Sequence, residues 1–189
     1  MNPLSSSANL PDELKIPDPR SDRTLRLLER FSALVERPVA PTAEGEPLPS
    51  RLAAATATVL EVTGAGISLM LDGTDRVGIG ASDMLAAVAQ RLQSTAGDGP
   101  CWVAQRCRRP VVAGPHEMAD RWPAFSAELQ ARTPYRAVVA VPLINRLDGV
   151  GTVDLYLDST DELHTLHIAD TVAVADEIVH RLVGAGPAG

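Results

Sequence analysis

Two adjacent segments near the end of the chain constrain the fold most strongly. Ala137–Leu143 consists of small and β-branched residues, which is typical of a buried strand. Asn145–Asp148 predicts a turn, and Gly149–Asp158 then predicts a return strand in which apolar and polar residues alternate. The apolar set is Val153, Leu155 and Leu157, and the polar set is Thr152, Asp154, Tyr156 and Asp158. If the apolar set packs on the terminal helices, the polar set faces another layer.

The other predicted strands are short and lie near one another in sequence. Gly66–Asp72 and Val77–Ala81 flank an Asp-Gly turn, and Val111–Ala113 is a short edge strand. Capping residues predict a helix that starts at Ser50 and is closed by Gly64, before the first strand. A further helix is predicted to start at Ser82, with Leu85, Val88 and Leu92 facing inward. A capping box at Ser159–Glu162 opens a last helix to about residue 183. Sequential hairpins favour an α+β fold with a central antiparallel sheet and helices on both faces.

Prolines divide the chain before this fold begins. Residues 1–20 hold four prolines among polar residues and are predicted to be a flexible tail. An apolar stripe predicts an N-terminal helix over residues 21–37, and the proline-rich residues 38–49 are predicted to be a linker. The main domain is predicted over 50–183, followed by a short tail at 184–189.

Composition excludes several classes of function. The chain has a net charge of −7 and only 3% aromatic residues, so a basic or base-stacking nucleic-acid surface is not expected. The chain has no apolar run long enough for a membrane helix, and its N-terminal residues do not resemble a secretory signal. Two cysteines do not make a disulfide scaffold. We therefore expect a soluble cytoplasmic protein that binds neither nucleic acid directly nor a membrane.

The corner Gly97–Cys101 carries the candidate reactive group. Pro100 suits the first position of a helix, because its missing N–H would be unpaired there. Cys101 then lies at the positive end of the helix dipole, which favours a thiolate of lowered pKa. Such a thiolate could sense oxidants or attack a sulfoxide. The alternative is that Cys101 is a small buried residue under the sheet.

Several segments together resemble a GAF domain. They are Gly80–Asp83, Gly97–Cys101, Asp120–Phe125, Ala140–Leu143 and Gly151–Tyr156. The resemblance covers roughly residues 50–183 and is strongest to the GAF domains of actinobacterial regulators that couple GAF to an RNA-binding ANTAR domain. Asp98 stands where such relatives usually have Glu. Only six residues follow the predicted last helix, so RNA binding is not implied for this chain.

The resemblance implies a cytoplasmic sensory domain with a GAF/PAS-like sheet, a pocket on one face and a helical dimerisation surface on the other. The strand pattern places Thr152, Asp154 and Tyr156 of the last strand in this pocket, together with Ser68 and Met70 of the first strand. They face Cys101 and Trp102 of the corner. The predicted ligand-binding residues are Ser68, Met70, Cys101, Trp102, Thr152, Asp154 and Tyr156. The alternative is a filled core in which Asp154 accepts backbone hydrogen bonds.

The last helix predicts an interface because it has two apolar faces. One of them has the 4-3-4-3 spacing of a coiled-coil seam. The predicted homodimer interface consists of Leu28, Phe31, Val35, Ile168, Val172, Ala175, Val179 and Leu182. The alternative is that the N-terminal helix covers this face within one chain.

Metal and catalytic constellations are not predicted. His164 and His167 lie three residues apart near Asp161, Glu162 and Asp170, but no third ligand follows at matching spacing. A solvated acidic helix turn explains these residues, and no catalytic triad can be assigned from spacing. The cofactor, if any, is unknown.

Three hypotheses for function follow. The first is a non-catalytic GAF-type signalling module, in transcriptional or stress regulation, that binds a small molecule or a downstream regulatory protein and signals through its terminal helices. The second is a thiol-based redox sensor, or an enzyme similar to free methionine-(R)-sulfoxide reductases, centred on Cys101. Those enzymes carry further cysteines, and residues 114–136 here contain none. The third is a ligand-free dimeric interaction scaffold.

Overall fold

The computed structural model of the protein describes residues 21–37, 46–71, 75–145 and 149–184. The tail predicted for residues 1–20, residues 38–45 of the predicted linker and residues 185–189 of the predicted C-terminal tail lie outside the described residues, as do parts of both predicted turns. The predicted division of the chain into tail, helix, linker and domain stays a prediction.

A five-stranded antiparallel sheet forms the centre of the molecule, in the order β2-β1-β5-β4-β3. The strands are β1 (Gly64–Leu71), β2 (Asp75–Ala81), β3 (Val111–Ala113), β4 (Ala137–Ile144) and β5 (Gly149–Leu157). Because β5 is the central strand, its residues 151–157 are all buried. The predicted α+β fold, with a central antiparallel sheet and helices on both faces, is confirmed.

Eight helices are described. They are α1 (Asp22–Val35), α2 (Leu48–Leu60), α3 (Met84–Ala96), α4 (Pro100–Cys107), α5 (Pro115–Arg121), α6 (Pro123–Arg132), α7 (Thr160–Thr165) and α8 (Ile168–Gly184). Helices α1, α2 and α8 form a three-helix layer on one face of the sheet, and α3 to α6 cover the other face. Val153, Leu155 and Leu157 pack against the three-helix layer, as the alternation of β5 predicted. Tyr156 packs on the opposite side.

Polar contacts tie α1 to α8 within the same chain. The Thr24 hydroxyl donates to Oδ1 of the buried Asp170 over 3.0 Å. Nearer the other end of α1, Arg181 donates to the Ser32 hydroxyl over 2.8 Å. The N-terminal helix therefore covers α8 in cis.

This packing changes the interpretation of the predicted dimer interface. Phe31, Val35, Ala175 and Val179 are buried in the core of their own chain, because α1 and α8 pack on each other and on the sheet. These four side chains are not available to a partner in this structure. The other four residues of the predicted interface keep some exposed surface: Leu28, Ile168, Val172 and Leu182.

Two helix starts differ from the predictions. Helix α2 begins two residues before Ser50, because Pro49 fits its first turn, and it ends with Glu61 in the left-handed conformation rather than at Gly64. Asp83, not Ser82, caps α3: its Oδ1 accepts from the Leu85 and Ala86 N–H groups at 2.7 and 2.9 Å. The Ser82 hydroxyl instead accepts from the Ala65 N–H at 3.0 Å.

The inward face of α3 also differs from the prediction. Leu85, predicted to point inward, is 42% exposed. The buried residues are Ala86, Ala89, Gln90 and Gln93. Small alanines allow the helix to lie close to the sheet, and Gln90 donates from Nε2 to the Ile67 carbonyl over 2.9 Å.

The predicted last helix is two helices. The chain is extended at Leu166, and a new helix starts when the Asp170 and Thr171 N–H groups donate to the His167 carbonyl. His164 therefore lies on α7 and His167 precedes α8. Among the described residues, no group of three or more His, Cys, Asp or Glu side chains is placed to hold a metal ion.

Candidate functional site

A buried ion pair forms the centre of the candidate site. Arg76 on β2 reaches across β1 and donates from Nη2 to Oδ2 of Asp154 on β5, and both side chains have no exposed surface. Asp154 lies between Gly66 and Ala140 on the neighbouring strands. These small neighbours leave room above the sheet for long side chains.

Gln93 of α3 connects this ion pair to α4. Its Nε2 atom donates to Asp154 Oδ2 and to the Tyr156 hydroxyl, each over 3.4 Å. Its Oε1 atom accepts from the backbone N–H of Cys101 over 3.3 Å. One buried amide therefore joins β5 to the start of α4.

Arg76 is also held by α3. Its Nη1 atom donates to the Gln90 carbonyl over 3.0 Å and to the Ser94 hydroxyl over 3.2 Å. Nε of Arg76 and Oδ1 of Asp154 are buried and have no hydrogen-bond partner among the described residues. A buried polar atom without a partner is costly, so the network has two positions that another polar group could satisfy.

Burial dominates the electrostatics of the network. It raises the pKa of the Asp154 carboxyl, and the Arg76 guanidinium opposes that shift. Burial is the largest single effect on Arg76 and lowers its pKa, but Asp154, Cys101 and Tyr156 together outweigh burial and raise that pKa, so the guanidinium stays charged. The pKa of the Tyr156 hydroxyl is raised by burial and then by Asp154, so it stays neutral.

The structure brings most of the predicted ligand-binding residues together on this side of the sheet. The hydroxyls of Ser68 and Thr152 lie 3.0 Å apart and hydrogen-bond to each other. Trp102 is partly buried and donates from Nε1 to the Gln93 carbonyl over 3.4 Å, while Met70 pairs opposite Arg76 and is only partly buried.

The predicted space between Asp154 and the α4 corner is occupied by side chains. Asp154 and Tyr156 have no exposed surface, so no water-sized void touches either of them. Arg76 and Gln93 fill the region that the sequence predicted to be a pocket. The site is closed in this structure, and binding of a ligand there stays a prediction.

Arg76 and Gln93 were not among the site residues predicted from the sequence. An inward-facing carboxylate on a buried strand needs a cation, and this requirement was the signal that could have identified Arg76. The second strand was predicted to begin at Val77, one residue too late to include it. Gln93 was missed because the inward face of its helix was assigned to leucines.

Of the two interpretations of Cys101, the structure agrees with the small buried residue and not with the thiolate of lowered pKa. Its side chain is 1% exposed. Burial raises the pKa of the thiol, Asp154 raises it further, and Arg76 only partly opposes these effects. Cys101 is therefore a neutral buried thiol, and Cys107 is an exposed free cysteine.

Alkylation tests this assignment. When the folded protein is treated with iodoacetamide at neutral pH, we expect one rapid adduct, on Cys107, because only that thiol is exposed. Peptide mass spectrometry locates the adduct, and the unfolded chain should show two. Rapid labelling of Cys101 in the folded protein would contradict the assignment.

The comparisons with known proteins agree with this architecture. The family model for the GAF domain matches residues 47–182, and the chain belongs to the GAF domain family. No curated protein matches the chain.

Solved structures share the fold at low sequence identity. The GAF domain of a phosphoenolpyruvate-protein phosphotransferase from Coxiella burnetii is 16% identical with a TM-score of 0.59, over 87% of this chain and 96% of that one. A GAF domain of A. aeolicus in an inactive state is 9% identical with a TM-score of 0.60, over 85% and 96% of the two chains. A free methionine sulfoxide reductase of Staphylococcus aureus, in complex with substrate, is 15% identical with a TM-score of 0.50, over 86% and 96%.

GAF domains are a family of regulatory and sensory modules. Similar structures include a domain of a putative two-component sensor histidine kinase and the enzyme named above. In the part of the chain that the structure describes, no helix has the length and apolar character needed to cross a membrane.

Proposed function

We propose that this chain is a non-catalytic sensory module that signals through its terminal helices. The observation that carries the proposal is the position of β5 between the two helical layers. Asp154 faces the buried network, while its neighbours Val153 and Leu155 pack on the three-helix layer. If a change at Asp154 shifts β5, the shift would therefore also displace α8 in the three-helix layer.

The proposed signal is a small polar molecule that enters the network. Such a molecule would satisfy Nε of Arg76 and Oδ1 of Asp154, the two buried atoms without a partner. Because the site is closed, binding requires α3 or α4 to move away from the sheet and open space beside these two atoms. The ligand thus selects an open state that differs from the one described here.

The non-catalytic part of the proposal rests on Cys101. A redox sensor or sulfoxide reductase needs an accessible thiolate, and burial in this structure opposes both accessibility and ionisation.

The closed site also favours a second candidate, a ligand-free interaction scaffold. In that case the Arg76–Asp154 pair only holds the sheet and α3 together, and the module acts through its surface. Both candidates imply a downstream partner protein. The proposed setting is transcriptional or stress regulation in the cytoplasm, which is the setting implied by the resemblance to actinobacterial GAF-ANTAR regulators.

Hydrogen exchange tests the coupling between the two layers. We expect the double substitution R76M/D154L to change exchange in residues 168–184 of α8 as well as around the network. The control S126A alters a buried residue of α6 outside the network and should leave α8 unchanged. Changes confined to α3, α4 and β5 would contradict signalling through the terminal helices.

We also propose a homodimer formed by the three-helix layer. Leu25 of α1 is 48% exposed and lines a shallow groove with Leu28 and Ala33, beside Glu177 of α8. With four predicted interface residues buried in cis, this groove and the exposed parts of α8 are the surface left for a second copy.

Analytical ultracentrifugation tests the dimer. We expect the wild type to sediment as a dimer and Leu25→Glu to sediment as a monomer, because the substitution places a charge in the interface. Leu85→Glu is the matched control, since Leu85 is 42% exposed on the opposite layer. A monomeric wild type, or a dimeric Leu25→Glu, would overturn the proposed interface.

A further inference from the structure

A cavity of about 460 Å³ lies within the three-helix layer, where α1 passes the end of α2 and the break before α8. It is on the opposite face of the sheet from the Arg76–Asp154 pair. Leu27, Leu60 and Leu166 provide apolar lining, and the volume is in the range of small-molecule sites. The function proposed above does not use this cavity.

Three arginines of α1 line the cavity at helical spacing: Arg23, Arg26 and Arg30. Arg23 is occupied, because its Nε lies 3.0 Å from Oδ2 of Asp170. Within the part of the chain that the structure describes, the only ion pair of Arg26 is a long, exposed one of 3.8 Å with Asp22. Arg30 has no ion pair among the described residues.

The arrangement of Arg26 and Arg30 favours an anion. Two like charges four residues apart on a helix repel each other, and an anion between them would relieve the repulsion. Guanidinium groups also bind carboxylate and phosphate through paired hydrogen bonds. The lining carboxylates are Asp170, which Arg23 neutralises, and Glu61. The lining of the cavity therefore has more cationic than anionic side chains, although the whole chain has a net charge of −7.

We propose that this cavity binds a small amphipathic anion, with a carboxylate or phosphate head group and an apolar body. Arg26 and Arg30 hold the head group, and the apolar body packs on Leu27, Leu60 and Leu166. His167, which also lines the cavity, can donate a further hydrogen bond to the head group. The bound molecule touches α1, the end of α2 and the segment before α8, so it holds together the three helices on which the proposed signal depends.

Calorimetric titration of the full chain tests the proposal, with octyl phosphate and octanoate as probes and inorganic phosphate for comparison. We expect both probes to bind with one saturable site, and inorganic phosphate to bind more weakly because it has no apolar body. The double substitution R26Q/R30Q should weaken octyl phosphate binding by at least about tenfold. The double substitution R37Q/R132Q removes the same charge from surfaces outside the cavity and should not weaken it.

The proposal is overturned by no saturable binding of either probe, by equal weakening in both double variants, or by equal affinity for inorganic phosphate and octyl phosphate. The site is independent of the closed network, so R76M/D154L should bind octyl phosphate as the wild type does. Loss of binding in that variant would assign the probe to the network instead and would also overturn this proposal.

Discussion

Replacing Asp154 with alanine should lower the free energy of unfolding by about 3–5 kcal/mol. The substitution leaves the Arg76 guanidinium buried and charged, with its carboxylate partner removed. It also removes the acceptor that Gln93 uses at Oδ2. Urea denaturation measures this loss, and a decrease smaller than about 1 kcal/mol would mean that water or another group replaces the carboxylate easily.

A double substitution separates the cost of an unpaired charge from the value of the pair itself. R76M/D154L replaces both buried charges with apolar side chains of similar size. Such replacements are often neutral or stabilising by about 1–4 kcal/mol. We therefore expect the double variant to be more stable than Asp154→Ala. If the two variants are equally unstable, the loss comes from packing and not from charge.

Replacing Phe31 with alanine should cost about 3–5 kcal/mol of the free energy of unfolding. The Phe31 ring has no exposed surface and lies in the core between α1 and the sheet. The Arg181 guanidinium of α8 lies 5.9 Å from the ring centroid, so the substitution also loosens the contact between α1 and α8.

The control for this variant is Leu85→Ala on α3, which is 42% exposed and lies outside the proposed dimer interface; it should lie within about 0.5 kcal/mol of the wild type. The measurement is again urea denaturation. A small effect of Phe31→Ala would show that α1 is not part of the cooperative unit, in conflict with its burial in this structure.

The central features of the fold could be predicted because they depend on local pattern. The alternation in β5 correctly predicted two layers, since a central strand must bury both of its faces. The turn at Gly97–Pro100 also correctly predicted the start of α4, because Gly97 and Gly99 have positive φ angles of 64° and 151°.

The contents of the candidate site could not be predicted in the same way. Arg76 and Gln93 belong to residue types that are usually exposed, so hydrophobic patterning does not identify them as buried. Burial of such a side chain depends on a distant partner: Asp154, the partner of Arg76, lies 78 positions further along the sequence. Only the three-dimensional structure shows that these side chains fill the predicted pocket.

The apolar seam on α8 was ambiguous for a related reason. Its spacing fits packing against any helix, whether that helix is in the same chain or in a second one. Ala175 and Val179 pack within their own chain, because α1 returns to lie against α8. The pattern therefore predicted a helix contact correctly but did not determine which chain supplies it.

Native mass spectrometry of the full chain, purified from its own cells without denaturation, tests the central claim most directly. If this is a small-molecule sensor, the wild type should carry a bound molecule in one-to-one ratio, and R76M/D154L should lack it. The bound mass should be retained in R26Q/R30Q, whose substitutions lie on the other face of the sheet. A wild type that shows only the mass of the polypeptide would contradict the sensor and favour the ligand-free scaffold.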